Sequence, residues 1–216
     1  MFNPCQRSRD AFSLTELLVL VAIAVILAAL LAPALSRSKA RARQLRCMGN
    51  VRQIAQGLLV VASGEMPRKL PYATDFGSLG GKTGRQAALG GRTPAGERPL
   101  HQGLPDPVVF RCPADRGDAV LGVESVFDAA GSSYLYPVES VDGIAAAVDE
   151  LVTGFPFPER KIIVFEPPLL QDRPLDDRRT RWHGARRISV AGFLDGHAQL
   201  VESAGYTNAD PAHRYY

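Results

Sequence analysis

From Leu17 through Ala32 the chain carries sixteen consecutive apolar residues, eleven of them Leu, Val or Ile. At roughly −0.3 to −0.6 kcal/mol for each of those eleven on an insertion scale, the run favours a bilayer by about 5 kcal/mol. Extended to Phe12 and Leu35 it is about 36 Å long as a helix, enough for a hydrocarbon core of about 30 Å. One charge stands in it, Glu16, at the edge. The pattern predicts a membrane-crossing helix over residues 12–35.

Past this run the pattern becomes a stripe. Leu45, Met48, Val51, Ile54 or Ala55, Leu58 and Val61 or Ala62 recur every three or four positions, the spacing of one apolar helix face. Arg43, Arg46, Arg52 and Gln53 fall opposite. The spacing predicts an amphipathic helix over 36–64 that packs on a sheet, stopping near Gly64 with Pro67 beyond. Together the two parts make one helix of about 50 residues, roughly 75 Å long. Pro33 would break or kink a soluble helix but is better tolerated inside a membrane.

Residues 67–107 lose all periodicity and are rich in Gly, Pro and polar residues, most densely over 77–107. A structureless loop of this length is unusual in a compact domain. It is either an ordered excursion lying on the domain or a flexible insertion. Its Gly80-Gly81-Lys82-Thr83 lacks the first glycine and the preceding strand of a phosphate-binding loop. From Val108 the chain turns to strands, expected at 108–112, 132–137 and 161–166, with a short helix over 144–152. Residues 188–194 and 197–202 flank Asp195-Gly196, a two-residue hairpin signal. The tail from Tyr206 is polar. The fold class this predicts is α+β: a long N-terminal helix on a small antiparallel sheet, with residues 65–216 as the globular domain.

The start of the apolar run carries a capping box. Ser13 is the N-cap and Glu16 lies three residues on, with Phe12 and Leu17 at the positions of a hydrophobic staple. Ala11-Phe12-Ser13-Leu14-Thr15-Glu16-Leu17, the apolar run, and Pro33 at the 22nd position counted from Phe12 together resemble the N-terminus of type IV pilins and type II secretion pseudopilins. The resemblance implies that residues 1–11 are a leader, cut between Ala11 and Phe12 by a prepilin peptidase that then N-methylates Phe12. It implies that Glu16 serves assembly and that Pro33 marks a helix bend. Ala11 stands where the family usually has Gly, which implies slower cutting. The implied function is a structural subunit of a type II secretion-like periplasmic filament, not an enzyme. The partners are the peptidase, copies of itself and other pseudopilins, an inner-membrane assembly platform and the lipid bilayer. The chain is then a single-pass inner-membrane protein with its N-terminus cytoplasmic and its globular domain periplasmic.

Two observations pull against this. Ala32-Pro33-Ala34 has the form of a signal-peptidase site, although the apolar run is longer than a secretory signal needs. Arg37, Lys39, Arg41 and Arg43 outnumber Arg7 and Arg9, which opposes the positive-inside rule; snorkelling and lipid head groups would accommodate them. A membrane-anchored envelope domain that never polymerises is the alternative.

Composition adds a limit. The 216 residues carry 25 basic and 22 acidic side chains, a net charge of +3, too balanced to argue for nucleic acid.

A second resemblance covers the C-terminal half. Phe110-Arg111-Cys112-Pro113-Ala114-Asp115, a Ser-Tyr strand, and Trp182-His183-Gly184 leading into Phe193-Leu194-Asp195-Gly196-His197 resemble a set of pseudopilin-like proteins with a C-terminal His-to-Asp-Gly signature. Here that signature is His183, Asp195 and Gly196, and it implies no chemistry. Of the three cysteines, Cys5 falls in the leader. Cys47 and Cys112 remain in an oxidising compartment, where an even number suggests a disulfide; the other reading is two small buried hydrophobes.

His183, Asp195, His197 and the nearby Ser189 raise a hydrolytic or metal site. No nucleophile elbow, no H-E-x-x-H and no Cys/His group of zinc spacing accompanies them, so neither catalysis nor a metal ligand is expected. No cofactor is expected either, with calcium left open. Asp172, Asp176 and Asp177 offer oxygens without EF-hand spacing, beside Arg173, Arg178 and Arg179 as partners.

Overall fold

The computed structural model describes residues 13–64, 67–142, 144–148, 151–153, 155–170, 172–174, 176–184 and 188–202. The chain divides into two compact units, Met1–Arg41 and Ala42–Tyr216. Helix α1, Leu14–Ser63, supplies the described part of the first and opens the second. The globular unit therefore begins inside the helix.

In the first unit the capping box forms. Glu16 Oε2 accepts from the Ser13 backbone N–H at 2.9 Å, and Ser13 Oγ accepts from the Glu16 N–H at 3.3 Å. The helix continues through Pro33. Every large apolar side chain from Leu14 to Leu35 is at least half exposed. The most apolar 18-residue window has a mean hydropathy of 3.0, so α1 is long and apolar enough to cross a membrane.

In the second unit α1 buries Cys47, Asn50, Val51, Ile54, Ala55, Leu58 and Ala62, a face at helical spacing. Leu45, expected in this stripe, is 52% exposed; the buried face starts two residues later. Strands β1 (Ile162–Phe165), β2 (Ile188–Phe193) and β3 (Ala198–Glu202) form one antiparallel sheet in the order β1-β2-β3. The fold is thus α+β, one long N-terminal helix with a small three-stranded antiparallel sheet.

At Gly192 in β2 the helix closely approaches the sheet. A Cβ there would lie 2.6 Å from Val164 Cγ1, 2.8 Å from Val51 Cγ1 and 3.3 Å from the Ala55 methyl. Two of those atoms belong to the buried face of α1. Gly192→Ala is expected to cost about 1–3 kcal/mol by overpacking. A melting temperature no lower than wild type would show that the helix shifts freely.

Three expected elements are absent. The 108–112 segment is not a strand: Pro107–Phe110 is a 3-10 turn, started by Asp106, whose Oδ1 accepts from the Val108 N–H at 2.9 Å. The N-cap and the proline at the first helical position override two β-branched residues. The 132–137 segment makes a single bridge, Leu135 to Phe165. Ser132 Oγ bonds both the N–H and the C=O of Tyr134, the local side-chain competition that opposes a ladder. Residues 144–148 are not helical; Ile144 bridges Val141 around Asp142, whose φ is +48°.

The hairpin forms, with a three-residue turn in place of two. Gly196 N–H donates to Phe193 O at 2.9 Å, Phe193 N–H donates to His197 O at 3.0 Å, and Gly196 has φ +86°. This is a turn closed by a left-handed glycine bulge, in which Asp195 keeps negative φ.

The Gly-rich stretch is ordered, and a buried cation organises it. Arg98 is 2% exposed. Its Nη1 donates to Gly77 O and Gly80 O, both at 2.7 Å. Its Nη2 donates to Ala130 O at 3.0 Å, Gly91 O at 3.3 Å and Gly90 O at 3.4 Å, and its Nε to Thr93 O at 3.2 Å. Six carbonyls from five short segments converge on one guanidinium, whose pKa burial lowers to about 10. Leu79 and Leu100, from the same stretch, enter the core.

Candidate functional site

Strand β1 is fully buried, and the residue after it is a carboxylate, Glu166, with no exposed surface. An unpaired charge there would cost several kcal/mol. Two groups meet it. Val190 N–H in β2 donates to Glu166 Oε2 at 2.8 Å. His183 Nε2 lies 3.0 and 2.8 Å from the two carboxylate oxygens, and its side chain is 1% exposed.

His183 is held by its neighbour. Trp182 is 2% exposed and its indole N–H donates to Gly117 O at 3.1 Å. The Gly117 N–H in turn donates to Asp115 Oδ1 at 2.9 Å. Asp115 also receives the Val126 and Phe127 N–H groups and the Ser133 hydroxyl, which caps helix α2, Val126–Ala130. The stretches Phe110–Asp115, Ser133-Tyr134 and Trp182-His183, far apart in sequence, are therefore one hydrogen-bonded assembly.

At its centre Cys47 and Cys112 are joined, with Cα atoms 5.1 Å apart. Both are buried. Cys112 Sγ is 3.9 Å from His183 Nε2 and accepts the Ala114 N–H at 3.4 Å. One donor atom from each of Cys47, Cys112, Glu166 and His183 lies within 4.8 Å of every other. Around this group, Asn50 Nδ2 donates to Tyr134 Oη at 3.3 Å. Burial, then the negative charge of Glu166, raises the Tyr134 pKa well above that of a free phenol. Cys112 also lines a cavity of about 490 Å³ that carries Arg46 and Arg111.

The remaining candidates take separate positions. Ala11 and Phe12 lie outside the described residues. Glu16 caps α1 and Pro33 lies within it. Asp195 pairs with His197, accepting from both its backbone N–H and its ring. Partial burial opposes ionisation of Asp195, but these bonds outweigh it and hold the carboxyl below its ordinary pKa. The His197 ring stacks on Phe193 with centroids 4.4 Å apart. Gly196 sits by Gln56 and Leu59 of α1, about 13 Å along the helix from Cys47 by its rise per residue. His183 and Asp195 thus serve two local structures rather than one triad. Ser189 Oγ is buried with no hydrogen-bond partner among the described residues.

The three aspartates considered for calcium are engaged by arginines. Asp177 accepts from Arg179, which holds its carboxyl down to about 2. Asp172 pairs with Arg173, and the Asp176 carbonyl accepts from Arg181.

Glu166 is the site residue that sequence reasoning passed over. Its signal was present: a lone carboxylate directly after an unbroken buried run, ahead of Pro167-Pro168. A comparison with family models, curated proteins and solved structures finds no match to this chain.

Proposed function

We propose that this chain is a pseudopilin, a structural subunit of a type II secretion-like filament, inserted through α1 and assembled through the same surface. The observation that carries the reading is the start of α1: a capped helix whose large apolar side chains from Leu14 to Leu35 are all at least half exposed. Such a surface requires lipid or other helices around it. In the precursor it is lipid; in the filament it is the helices of neighbouring subunits.

Glu16 gives the assembly step its specificity. Moved into a filament core, its carboxylate would cost several kcal/mol unless paired. The amine freed at Phe12 of an adjacent subunit is the natural partner, and it arises only after cleavage. Processing thereby licenses assembly.

The mature N-terminus tests this. Mass spectrometry of the mature chain is expected to show Phe12 first, methylated on its amine. A chain starting at Leu35 would assign it to signal peptidase instead. An intact Met1 would leave a membrane-anchored domain that does not polymerise.

A further inference from the structure

The four donor atoms at the disulfide share a geometric property that a plain crosslink does not need. His183 Nε2 contacts Cys112 Sγ and both oxygens of Glu166 with the same atom. In a relay through imidazole, the carboxylate and the sulfur would use opposite ring nitrogens. Here both face one nitrogen, so all four groups aim at a common centre. A tetrahedral zinc with bonds of about 2.3 Å to sulfur and about 2.0–2.2 Å to nitrogen and oxygen places its donors roughly 3.3–3.8 Å apart. The imidazole–sulfur and imidazole–carboxylate distances of 3.9 and 2.8 Å bracket that range. Two pairs are closer than that range, the imidazole with the carboxylate and the bonded sulfurs, and breaking the disulfide frees the sulfurs to separate.

We propose that Cys47–Cys112 is one state of a two-state centre. Its reduced state binds a zinc-type divalent cation through Sγ of Cys47, Sγ of Cys112, Nε2 of His183 and a carboxylate oxygen of Glu166. Two thiolates, an imidazole and a carboxylate form a donor set for zinc or cobalt rather than for magnesium or calcium.

The surroundings suit the reduced state. The Ala114 N–H points at Cys112 Sγ, a donor that stabilises a thiolate far more than a disulfide sulfur. Val190 N–H fixes the carboxylate from behind, the role of an outer-shell partner.

The exchange balances with a dithiol as reductant. Its thiolate attacks one sulfur of the disulfide, the mixed disulfide is resolved by its second thiol, and two protein thiols and one cyclic disulfide result. The cation then binds the two sulfurs as thiolates and releases their two protons to solvent. A small-molecule disulfide reverses the exchange: a thiolate attacks it, the second thiolate resolves the mixed disulfide, the small molecule leaves as its dithiol with two protons from solvent, and the cation is released as the crosslink re-forms. This inference stands apart from the filament reading and concerns the globular unit alone.

The test uses the full chain in detergent, reduced with dithiothreitol, freed of reductant without air, and titrated with cobalt(II). The reduced chain is expected to bind one cobalt, with tetrahedral visible bands and a thiolate charge-transfer band that zinc abolishes. The oxidised chain should give neither. His183→Asn and Glu166→Gln should each weaken binding by at least about tenfold, while Asp195→Asn in the hairpin turn should not. A colourless reduced chain that keeps its near-ultraviolet circular dichroism overturns the proposal, as does unchanged cobalt affinity in His183→Asn. Where reduction alone unfolds the unit, zinc must restore the dichroism; a chain that stays unfolded with zinc present overturns it equally.

Discussion

Arg98→Met is expected to lower the melting temperature of the globular unit by about 10 °C or more, or to prevent folding. Methionine fills similar space but donates nothing, so the six carbonyls gathered by the guanidinium lose their partner. Each buried polar group left unmet costs about 1–3 kcal/mol. Even with some carbonyls turning to water, a loss of about 5 kcal/mol follows, and in a unit of this size each kcal/mol is worth about 2–4 °C. Arg98→Lys should recover only part, because one ammonium has three donors on a single atom. Thermal melting of the three proteins by circular dichroism decides it. Equal melting temperatures would mean that Leu79 and Leu100 hold the excursion by packing alone.

Glu16→Ala is expected to abolish incorporation into filaments while leaving membrane insertion and cleavage before Phe12 intact. The structural loss is small: removing the capping box costs about 0.5–2 kcal/mol of helix stability, and α1 has a long apolar run to sustain it. On the proposed function, the assembly loss would be the pairing with a neighbouring amine, which no other side chain from Leu17 to Ala32 could supply. Comparing the sheared or sedimented filament fraction with the membrane fraction, for wild type and variant, separates the two roles. Normal incorporation of the alanine variant would reduce Glu16 to a cap.

What the sequence made legible follows from the range of each interaction. Helix α1 and its cap were readable because 3.6-residue spacing and the Ser13–Glu16 pair are local. The β2–β3 hairpin was readable because Asp195-Gly196 sits between two apolar runs. The strand expected at 108–112 failed because Asp106 and Pro107, just upstream, set a turn that β-branched residues alone do not reveal. Arg98 was invisible as an organiser, since its partners are backbone carbonyls and carry no side-chain signature. The site was legible only in pieces. Cys47 and Cys112 stood out as a candidate pair from their count, and His183 from its signature, but Glu166 and the convergence of all four depend on long-range contacts, 65 residues apart for the cysteines, for which no spacing rule exists.

The Cys47–Cys112 bond also sets how the protein responds to force. Cys47 is the first buried residue among those described, so tension on the helix meets the covalent link as it enters the globular unit. Load then passes directly to Cys112. Residues 48–111, including Val51 and Ala55 of α1 and the excursion that carries Arg98, lie within the closed loop and are bypassed. A subunit extracted from a bilayer by its helix would stretch first outside that loop. With the bond opened, the same pull would instead peel α1 from the sheet turn by turn, starting at Val51. Single-molecule extension, with and without reductant, would register the difference as about 65 residues of additional contour length.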